Sequence, residues 1–288
     1  MASIQSRKVT VVGAGFVGST CAQLAAFKNL ASEVVLIDVL EGRPQGIALD
    51  LNQSAAVEGF QARVIGTNDP ADTADSDVVI MTAGRPRKPG MSRSDLLEVN
   101  GRIVATVAEY VRRLSPEAIV IVVTNPLDSM VSLMRHCLGF PARRVIGMAG
   151  VLDSSRFCWF IREETGAAVQ DVNAMVLGAH GDSMVPMPNY CTVNGVQVAD
   201  LVKADRMDAM AMAESILNDA QRLMPCACLM NGEFGFEGVY MGVPAILGSE
   251  GVQRIVEVPL TAEARAQLQK TAGAVQNDVE ALRDLGLM

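Results

Sequence analysis

Two neighbouring stretches near the N-terminus decide the fold: Lys8-Val9-Thr10-Val11-Val12-Gly13-Ala14-Gly15-Phe16-Val17-Gly18 and Glu33-Val34-Val35-Leu36-Ile37-Asp38. Each contains a short apolar, β-branched run, which predicts a buried strand. The first run breaks into glycines with the spacing G-x-G-x-x-G and then resumes with a helical pattern. Gly13 permits a tight turn, Gly15 lets the backbone approach a pyrophosphate, and Gly18 lets the helix pack on the strand. The helical pattern is carried by Cys21, Leu24 and Ala25, and the free N–H groups of this helix would face the phosphates.

The acid at the end of the second stretch indicates which dinucleotide binds. Asp38 lies 20 residues beyond Gly18, the separation at which a carboxylate bonds the 2′-hydroxyl of the ribose and repels a 2′-phosphate. Glycines also mark ordinary tight turns, so the glycine spacing alone is a weak signal. Strand, glycines, helix, strand and acid in this order are a much stronger one, and they predict a site for NAD rather than NADP.

The composition argues against several classes of function. A net charge of −8 at pH 7 argues against general nucleic-acid binding, which needs a basic face. Half of the 288 residues are hydrophobic, but no uninterrupted apolar stretch is long enough to cross a bilayer. The six cysteines are scattered and show no metal-ligand spacing, which favours reduced thiols in a cytoplasmic protein without a metal site.

Strands alternate with helical patterns through the first half of the chain, with further strand-like runs at 62–66, 77–81, 118–123 and 144–147. This alternation predicts a Rossmann-type, doubly wound parallel sheet over residues 1–149. The pattern then changes to an α+β arrangement over 150–288, which we predict to be the substrate domain. That region contains helical patterns at 153–165 and 205–221, strand patterns at 172–177, 222–229 and 238–247, a hairpin around Asn194-Gly195 and a terminal amphipathic helix.

A basic loop follows the strand at 77–81, at the edge where open parallel sheets bind ligands. Arg85, Arg87, Lys88 and Arg93 lie within nine residues of an otherwise acidic chain. The loop could simply be solvated. If it closes over a substrate as a lid, its guanidinium groups need an anionic partner, because an unmatched buried charge is costly. The expected ligand is then a small dianion.

The chain has only two histidines. His136 falls within a helical pattern and is interpreted as structural. His180 lies in a small-residue loop, Gly178-Ala179-His180-Gly181, and is either an ordinary loop residue or a general acid/base, which needs an orienting partner. Asp153 is the candidate partner, although its position also suits a helix N-cap. Arg156 shares its helix face and is alternatively a surface or ion-pairing arginine.

Several motifs in a fixed order together resemble the LDH-type malate dehydrogenases of the lactate/malate dehydrogenase family. The resemblance covers nearly the whole chain. It rests on the glycine fingerprint with Asp38 and on the stretches Thr82-Ala83-Gly84, Arg87-Lys88-Pro89-Gly90-Met91-Ser92-Arg93, Thr124-Asn125-Pro126, Gly150-Val151-Leu152-Asp153-Ser154-Ser155-Arg156, Gly178-Ala179-His180-Gly181-Asp182 and Gly242-Val243-Pro244.

The resemblance implies a role for each polar residue at the ligand edge. His180 would exchange a proton with the substrate hydroxyl or carbonyl, and Asp153 would hold the imidazole in the right tautomer. Arg156 would pair with the C1 carboxylate, and Arg93 would polarise the carbonyl. Asn125 would hydrogen-bond the substrate and support the nicotinamide site.

The position of Arg87 distinguishes the two branches of the family. Malate enzymes carry an arginine there for the second carboxylate, whereas lactate enzymes typically carry glutamine. The resemblance therefore implies NAD-dependent interconversion of (S)-malate and oxaloacetate. The alternatives are an L-lactate dehydrogenase, a catalytically silent NAD-binding protein and an NAD-dependent glycoside hydrolase, the last disfavoured because no metal cluster is evident.

The resemblance also implies the cofactor contacts, the assembly and the setting. The enzyme would be cytoplasmic, would belong to the tricarboxylic acid cycle, and would form a homotetramer or a dimer. The residues implied in NAD binding are Gly13, Gly15, Phe16, Val17, Gly18, Asp38, Thr82, Ala83, Gly84, Asn100, Val123 and Asn125.

The chain departs from the family pattern at one place. After Ala209 it passes directly to Met210, where family members have a helix-sized stretch with a glycine-rich turn beside the substrate. Either the polypeptide lacks about a helix and a loop there, or residues are omitted from the numbering, and the intact mass would distinguish the two. A true deletion predicts weakened substrate binding with NAD binding retained.

Overall fold

The computed structural model describes residues 7–86, 90, 92–181, 184–193, 195–198 and 222–288. Its α-helices are α1 (Phe16–Phe27), α2 (Arg43–Glu58), α3 (Arg93–Leu114), α4 (Leu127–Leu138), α5 (Gly150–Thr165) and α6 (Ala262–Asp284). Its strands are β1 (Lys8–Val12), β2 (Glu33–Ile37), β3 (Arg63–Thr67), β4 (Val78–Met81), β5 (Ile119–Val122), β6 (Val145–Gly147), β7 (Val172–Asn173), β8 (Val176–Leu177), β9 (Val185–Pro186), β10 (Thr192–Val193), β11 (Val196–Gln197), β12 (Arg222–Asn231), β13 (Glu237–Gly248) and β14 (Gly251–Ile255).

The first six strands form the predicted parallel sheet, in the order β3-β2-β1-β4-β5-β6. The chain order reverses between β1 and β4, where doubly wound folds open a ligand crevice. Their sequences are almost continuously apolar because helices cover both faces of the sheet. The prediction of a Rossmann sheet is confirmed.

Alternate residues of each central strand face opposite layers. Val9 and Val11 of β1 belong to a buried cluster with Ala22 of α1. On the other face, Val120 of β5 belongs to a second cluster with Val104 of α3. Burial of a valine or leucine side chain contributes about 1.5–3 kcal/mol, so these two layers hold the helices and the strand ends that carry the site.

Strands from the C-terminal half extend this same sheet. The strands β12, β13 and β14 add to β6 in antiparallel fashion and complete a nine-stranded sheet. Ala227 of β12 pairs with Gly147 of β6. A Cβ atom on Gly147 would lie only 2.8 Å from that of Ala227, so the glycine is what permits the two strands to meet.

Smaller elements of the C-terminal half differ in detail from their predictions. The single strand predicted over 172–177 is two short strands, β7 and β8, which belong to different sheets. The predicted hairpin is confirmed, since β10 and β11 pair antiparallel, although Asn194 is outside the described residues. The helix predicted over 205–221 and the departure at Ala209–Met210 also lie outside them.

The change of pattern near residue 150 falls between β6 and α5. Met148 and Ala149 are both buried, and α5 begins at once with Gly150. Asp153 therefore lies in the first turn of α5 and is not its N-cap, which is Ala149. The division into 1–149 and 150–288 stays a prediction.

The terminal helix α6 packs its apolar face against α3 and α4. Leu268, Ala272, Val275 and Leu282 are buried, as their spacing predicts. Among the described helices, none combines the length and the hydropathy that a membrane span requires.

Candidate active site

The glycine turn after β1 is tightly packed at two of its three glycines. Gly13 has a φ of +103°, and a Cβ atom there would lie 2.8 Å from the backbone of Ala83. A Cβ atom on Gly18 would lie 1.8 Å from the carbonyl oxygen of Gly13. The first and third glycines are thus required by the protein itself, as the fingerprint predicts.

The second glycine faces open space. No described atom lies within 4 Å of the Cβ position of Gly15, and no described side chain caps the start of α1. Phe16, the first residue of the helix, is 92% exposed. Uncapped N–H groups beside an open glycine are the surroundings that a pyrophosphate needs, so these residues fit a dinucleotide.

Asp38 is held at the rim of this turn. Its Oδ2 accepts a hydrogen bond of 2.6 Å from the N–H of Ala14, and its Oδ1 accepts one of 2.9 Å from the N–H of Leu40. These bonds fix the carboxylate just beyond β2, next to the glycine turn. This is the position from which an acid reaches a ribose hydroxyl.

Side-chain hydrogen bonds join the carboxyl ends of β1, β4 and β5. Thr82 Oγ1 donates to the carbonyl of Val12 over 2.9 Å, and Thr124 Oγ1 donates to that of Ala83 over 2.8 Å. Gly84 lies exposed just beyond Ala83, where a Cβ atom would be 2.7 Å from Cγ2 of Thr124. These contacts hold the floor of the crevice at the carboxyl edge of the sheet.

Asn100 lies behind this floor. It is buried in α3, and its Nδ2 donates to the carbonyl of Asn125 over 2.7 Å, while its Oδ1 accepts from the N–H of Arg85 over 2.8 Å. Asn100 thus fixes the backbone on both sides of the crevice. Asn125 itself is exposed, and Val123 is partly buried at the end of β5.

His180 and Asp153, two predicted site residues, are in direct contact. The imidazole Nδ1 lies 3.0 Å from Asp153 Oδ2, so the carboxylate fixes the tautomer in which Nδ1 carries a proton and Nε2 is left for a ligand. Asp153 is 3% exposed. Its Oδ1 accepts a hydrogen bond of 3.3 Å from Nη1 of Arg156, so one carboxylate orients both the imidazole and the guanidinium.

The electrostatic surroundings raise the pKa of His180 above its ordinary value. Burial alone would lower this pKa, and the charge of Arg156 acts in the same direction. The hydrogen bond with Asp153 and the negative charges of Asp153 and Asp128 outweigh both. The site therefore favours an imidazolium, the form that a histidine takes after accepting a proton.

A residue that sequence reasoning missed lies on the other side of His180. Asp128, at the start of α4, is 4% exposed and accepts a hydrogen bond of 2.9 Å from the main-chain N–H of His180. Burial raises the pKa of Asp128 to about 7, although the hydrogen bond and positive charge of His180 lower it. The sequence signal was a buried-helix pattern after Asn125-Pro126 whose second residue, following Leu127, is an acid.

The structure brings Asn125, Asp128 and His180 together around one cavity of about 460 Å³, which the α6 residues Lys270 and Asp278 also line. The structure describes only part of the basic loop. Arg93 is the first residue of α3, but its side chain and the whole of Arg87 and Lys88 lie outside the described part of the chain.

A histidine held by a carboxylate beside a dinucleotide crevice is what hydride transfer coupled to proton transfer requires. The fold and the crevice define the class: this is a nicotinamide-dependent oxidoreductase.

Comparison with known proteins identifies the family. The model of the lactate/malate dehydrogenase NAD-binding domain matches residues 7–147, and that of the α/β C-terminal domain matches 150–210 and 207–285. The chain belongs to the lactate/malate dehydrogenase family, and NAD is its cofactor. The match to the C-terminal model is divided into two ranges that overlap at 207–210, where the sequence departs from the family pattern. The loss of a segment there stays a prediction.

Individual relatives agree with this assignment. The chain is 43% identical to a malate dehydrogenase of Roseiflexus castenholzii over 307 aligned positions, covering 96% of this chain and 99% of the relative. The crystal structure of Cryptosporidium parvum malate dehydrogenase superposes with a TM-score of 0.92 at 36% identity, covering 97% of this chain and 100% of the other. A lactate dehydrogenase of the same organism, complexed with lactic acid and NAD, superposes with a TM-score of 0.91 at 39% identity. This match covers 97% of this chain and 98% of the other.

Proposed function

We propose that this chain interconverts (S)-malate and oxaloacetate with NAD. The observation that carries the proposal is the 3.0 Å contact between His180 and Asp153 at the carboxyl edge of an NAD-binding sheet. The relatives named malate dehydrogenase, at 43–44% identity, support the choice of substrate.

When NAD is bound, it supplies a hydride acceptor for C2 of malate. His180 takes the hydroxyl proton on Nε2, because Nδ1 is engaged by Asp153. The C2–H and O–H bonds break, the carbonyl of oxaloacetate forms, and the proton rests on the imidazole. Asp153 stabilises the resulting imidazolium, as a buried carboxylate does in other histidine-based acid/base pairs.

Arg156 is proposed to bind the C1 carboxylate through its planar guanidinium. It is partly exposed, and it is bonded to the same carboxylate, Asp153, as His180. Arg93 would polarise the carbonyl, and Asn125 would hydrogen-bond the substrate. These assignments follow the sequence motifs, and the geometry around Asp153 supports those of His180 and Arg156.

Arg87 is proposed to select malate by pairing with its second carboxylate. Pyruvate has no such group and would leave the arginine without a partner. Sites built around a polar group reject analogues that lack it by up to about 10⁴-fold. Because the similar solved structures include lactate dehydrogenases, L-lactate remains the alternative substrate within the family.

The decisive experiment compares steady-state rates with oxaloacetate and pyruvate, each in the presence of NADH, and measures NADH binding by fluorescence. Turnover of oxaloacetate with a kcat/KM at least about 100-fold above that for pyruvate is the expected result. A preference for pyruvate would favour the lactate alternative. NADH binding without turnover of either acid would favour a catalytically impaired NAD-binding protein, as the interrupted C-terminal match allows.

We also propose a cytoplasmic homotetramer, or a dimer, acting in the tricarboxylic acid cycle. All six cysteines are free thiols, which suits a reducing compartment. Trp159 on α5 is 42% exposed, and a large exposed aromatic side chain is typical of subunit contacts. Light scattering of the purified protein measures the assembly, and a monomer would contradict this proposal.

A further inference from the structure

One buried acid near His180 has no part in the relay described above. Asp128 occupies the first turn of α4 among fully buried apolar side chains, including Leu127, Met130 and Val131. Its Oδ2 accepts the main-chain N–H of His180 over 2.9 Å. Its Oδ1 is buried and has no hydrogen-bond partner among the described residues.

Packing does not explain an acid at this position. Burial of a carboxylate is costly unless its oxygens are satisfied, and here only one oxygen has a described partner. An apolar residue like its neighbours would fill the same volume at lower cost. What the acid provides, and an apolar residue could not, is a hydrogen-bond acceptor beside the main chain of His180 and, in its ionised form, a negative charge.

The loop that carries His180 needs such an anchor. Gly178, two residues before it, is fixed by a pair of 3.1 Å hydrogen bonds with Gly242. Gly181, directly after it, has a φ of +131° and open space around its Cβ position. Between these two glycines, Asp128 supplies a side-chain hydrogen bond to the backbone of His180 itself. His180 is thus held at its imidazole ring by Asp153 and at its main-chain N–H by Asp128.

We propose that Asp128 is a positioning residue for His180, which fixes the main chain of the catalytic histidine and, through its charge, favours the imidazolium. The role in turnover rests on the proposed malate dehydrogenase activity. Small displacements of a reacting group can reduce rates by orders of magnitude, so loss of this anchor should affect kcat more than cofactor binding.

The charges that face His180 come from several elements. Asp153 and Arg156 approach from α5 and Asp128 from α4, while Lys270 and Asp278 of α6 line the adjoining cavity. Of these, Asp128 and Asp153 raise the pKa of His180, and Arg156 lowers it. Removal of the charge of Asp128 should therefore lower that pKa.

The first test measures the titration midpoint of the His180 imidazole and does not require turnover. The chain has only two histidines, so nuclear magnetic resonance of the ¹⁵N-histidine-labelled full chain gives two imidazole titrations, and an exposed-site variant, His136→Gln, assigns them. In Asp128→Asn and Asp128→Ala the midpoint of His180 should fall by about half a pH unit or more. Ser129→Ala is the control, because it removes a neighbouring buried hydroxyl that donates to Asp278 and not to His180. In this variant the midpoint of His180 should stay unchanged.

The second test separates the hydrogen bond from the charge. With oxaloacetate and NADH, Asp128→Ala should reduce kcat at least about tenfold and leave the KM for NADH within about twofold. Asp128→Asn should recover most of kcat, because its amide oxygen can accept the same N–H. Equal impairment of the two variants, or no change of midpoint in either, would overturn the proposal. If the wild type fails to turn over, the proposed function fails while the titration still tests the position of Asp128.

Discussion

Asp153 Oδ2 lies 3.0 Å from Nδ1 of His180, and the carboxylate is almost completely buried. The contact joins α5 to the loop after β8. It leaves Nε2 as the imidazole nitrogen available to a ligand, and it supplies the negative charge that a protonated histidine needs. The proposed relay would therefore depend on a single orientation of one carboxylate.

Replacement of Asp153 by asparagine should lower kcat by about 10²–10⁴-fold. The amide lacks the charge that stabilises the imidazolium, and its NH₂ group can select the wrong tautomer. Steady-state kinetics with oxaloacetate and NADH measure the loss. Glu163→Gln, an exposed change on the same helix, is the control and should leave kcat unchanged. A loss below about threefold in Asp153→Asn would contradict the relay.

The pH dependence of the two directions should be opposite. Malate oxidation needs a neutral His180 to accept the proton, so kcat/KM should fall as the pH drops below the pKa of that residue. Oxaloacetate reduction needs the imidazolium, so its kcat/KM should fall as the pH rises above the same pKa. Because that pKa is raised, both midpoints should lie above the ordinary histidine value of about 6.5. Profiles with midpoints below 6 would disagree with the charge arrangement around His180.

Replacement of Arg87 by glutamine should move the substrate preference from oxaloacetate towards pyruvate. Glutamine removes the positive charge that pairs with the second carboxylate of oxaloacetate. Pyruvate, which lacks that carboxylate, then no longer leaves a charged arginine without a partner. The ratio of the two kcat/KM values should change by at least about 100-fold. Arg85→Gln, an exposed arginine on the same loop, is the matched control. An unchanged ratio in Arg87→Gln would remove the argument for malate.

Substitution of the second and of the third fingerprint glycine should affect the stability of the protein differently. In Gly18→Ala the new Cβ atom meets the carbonyl of Gly13 at 1.8 Å, so the free energy of unfolding should drop by about 1–3 kcal/mol. In Gly15→Ala the new atom meets no described protein atom and should leave that free energy nearly unchanged. Both substitutions should weaken NADH binding. Fluorescence titration measures this affinity, and thermal unfolding measures the change in stability. Wild-type NADH affinity in Gly15→Ala would show that the pyrophosphate binds elsewhere.

Much of the fold could be predicted from the sequence because its signals are local. The apolar run of β1, the glycines that follow it and Asp38 lie within about 30 residues, and each has a physical reason for its place. His180 and Asp153 could be named as candidates for a similar reason, since a small-residue loop and a helix start are visible in the sequence.

Other features depend on contacts between distant parts of the chain. Nothing near Asp128 shows that its carboxylate will meet the backbone of His180, 52 residues later. The strand β12 reads as an ordinary apolar run, and only its pairing with β6 shows that it extends the first sheet. The split of 172–177 into two strands likewise follows from their different partners, β10 and β9.

The junction of Gly147 with Ala227 has a mechanical consequence. One hydrogen-bonded sheet runs from the strands of the NAD-binding domain through β12 to β14, and Gly242 of β13 in turn bonds to Gly178 in the loop that carries His180. The loop of His180, the proposed proton acceptor, and the glycine turn after β1 are therefore connected through one continuous sheet. In the proposed mechanism, folding of the polypeptide would therefore already set the distance between these two parts of the site.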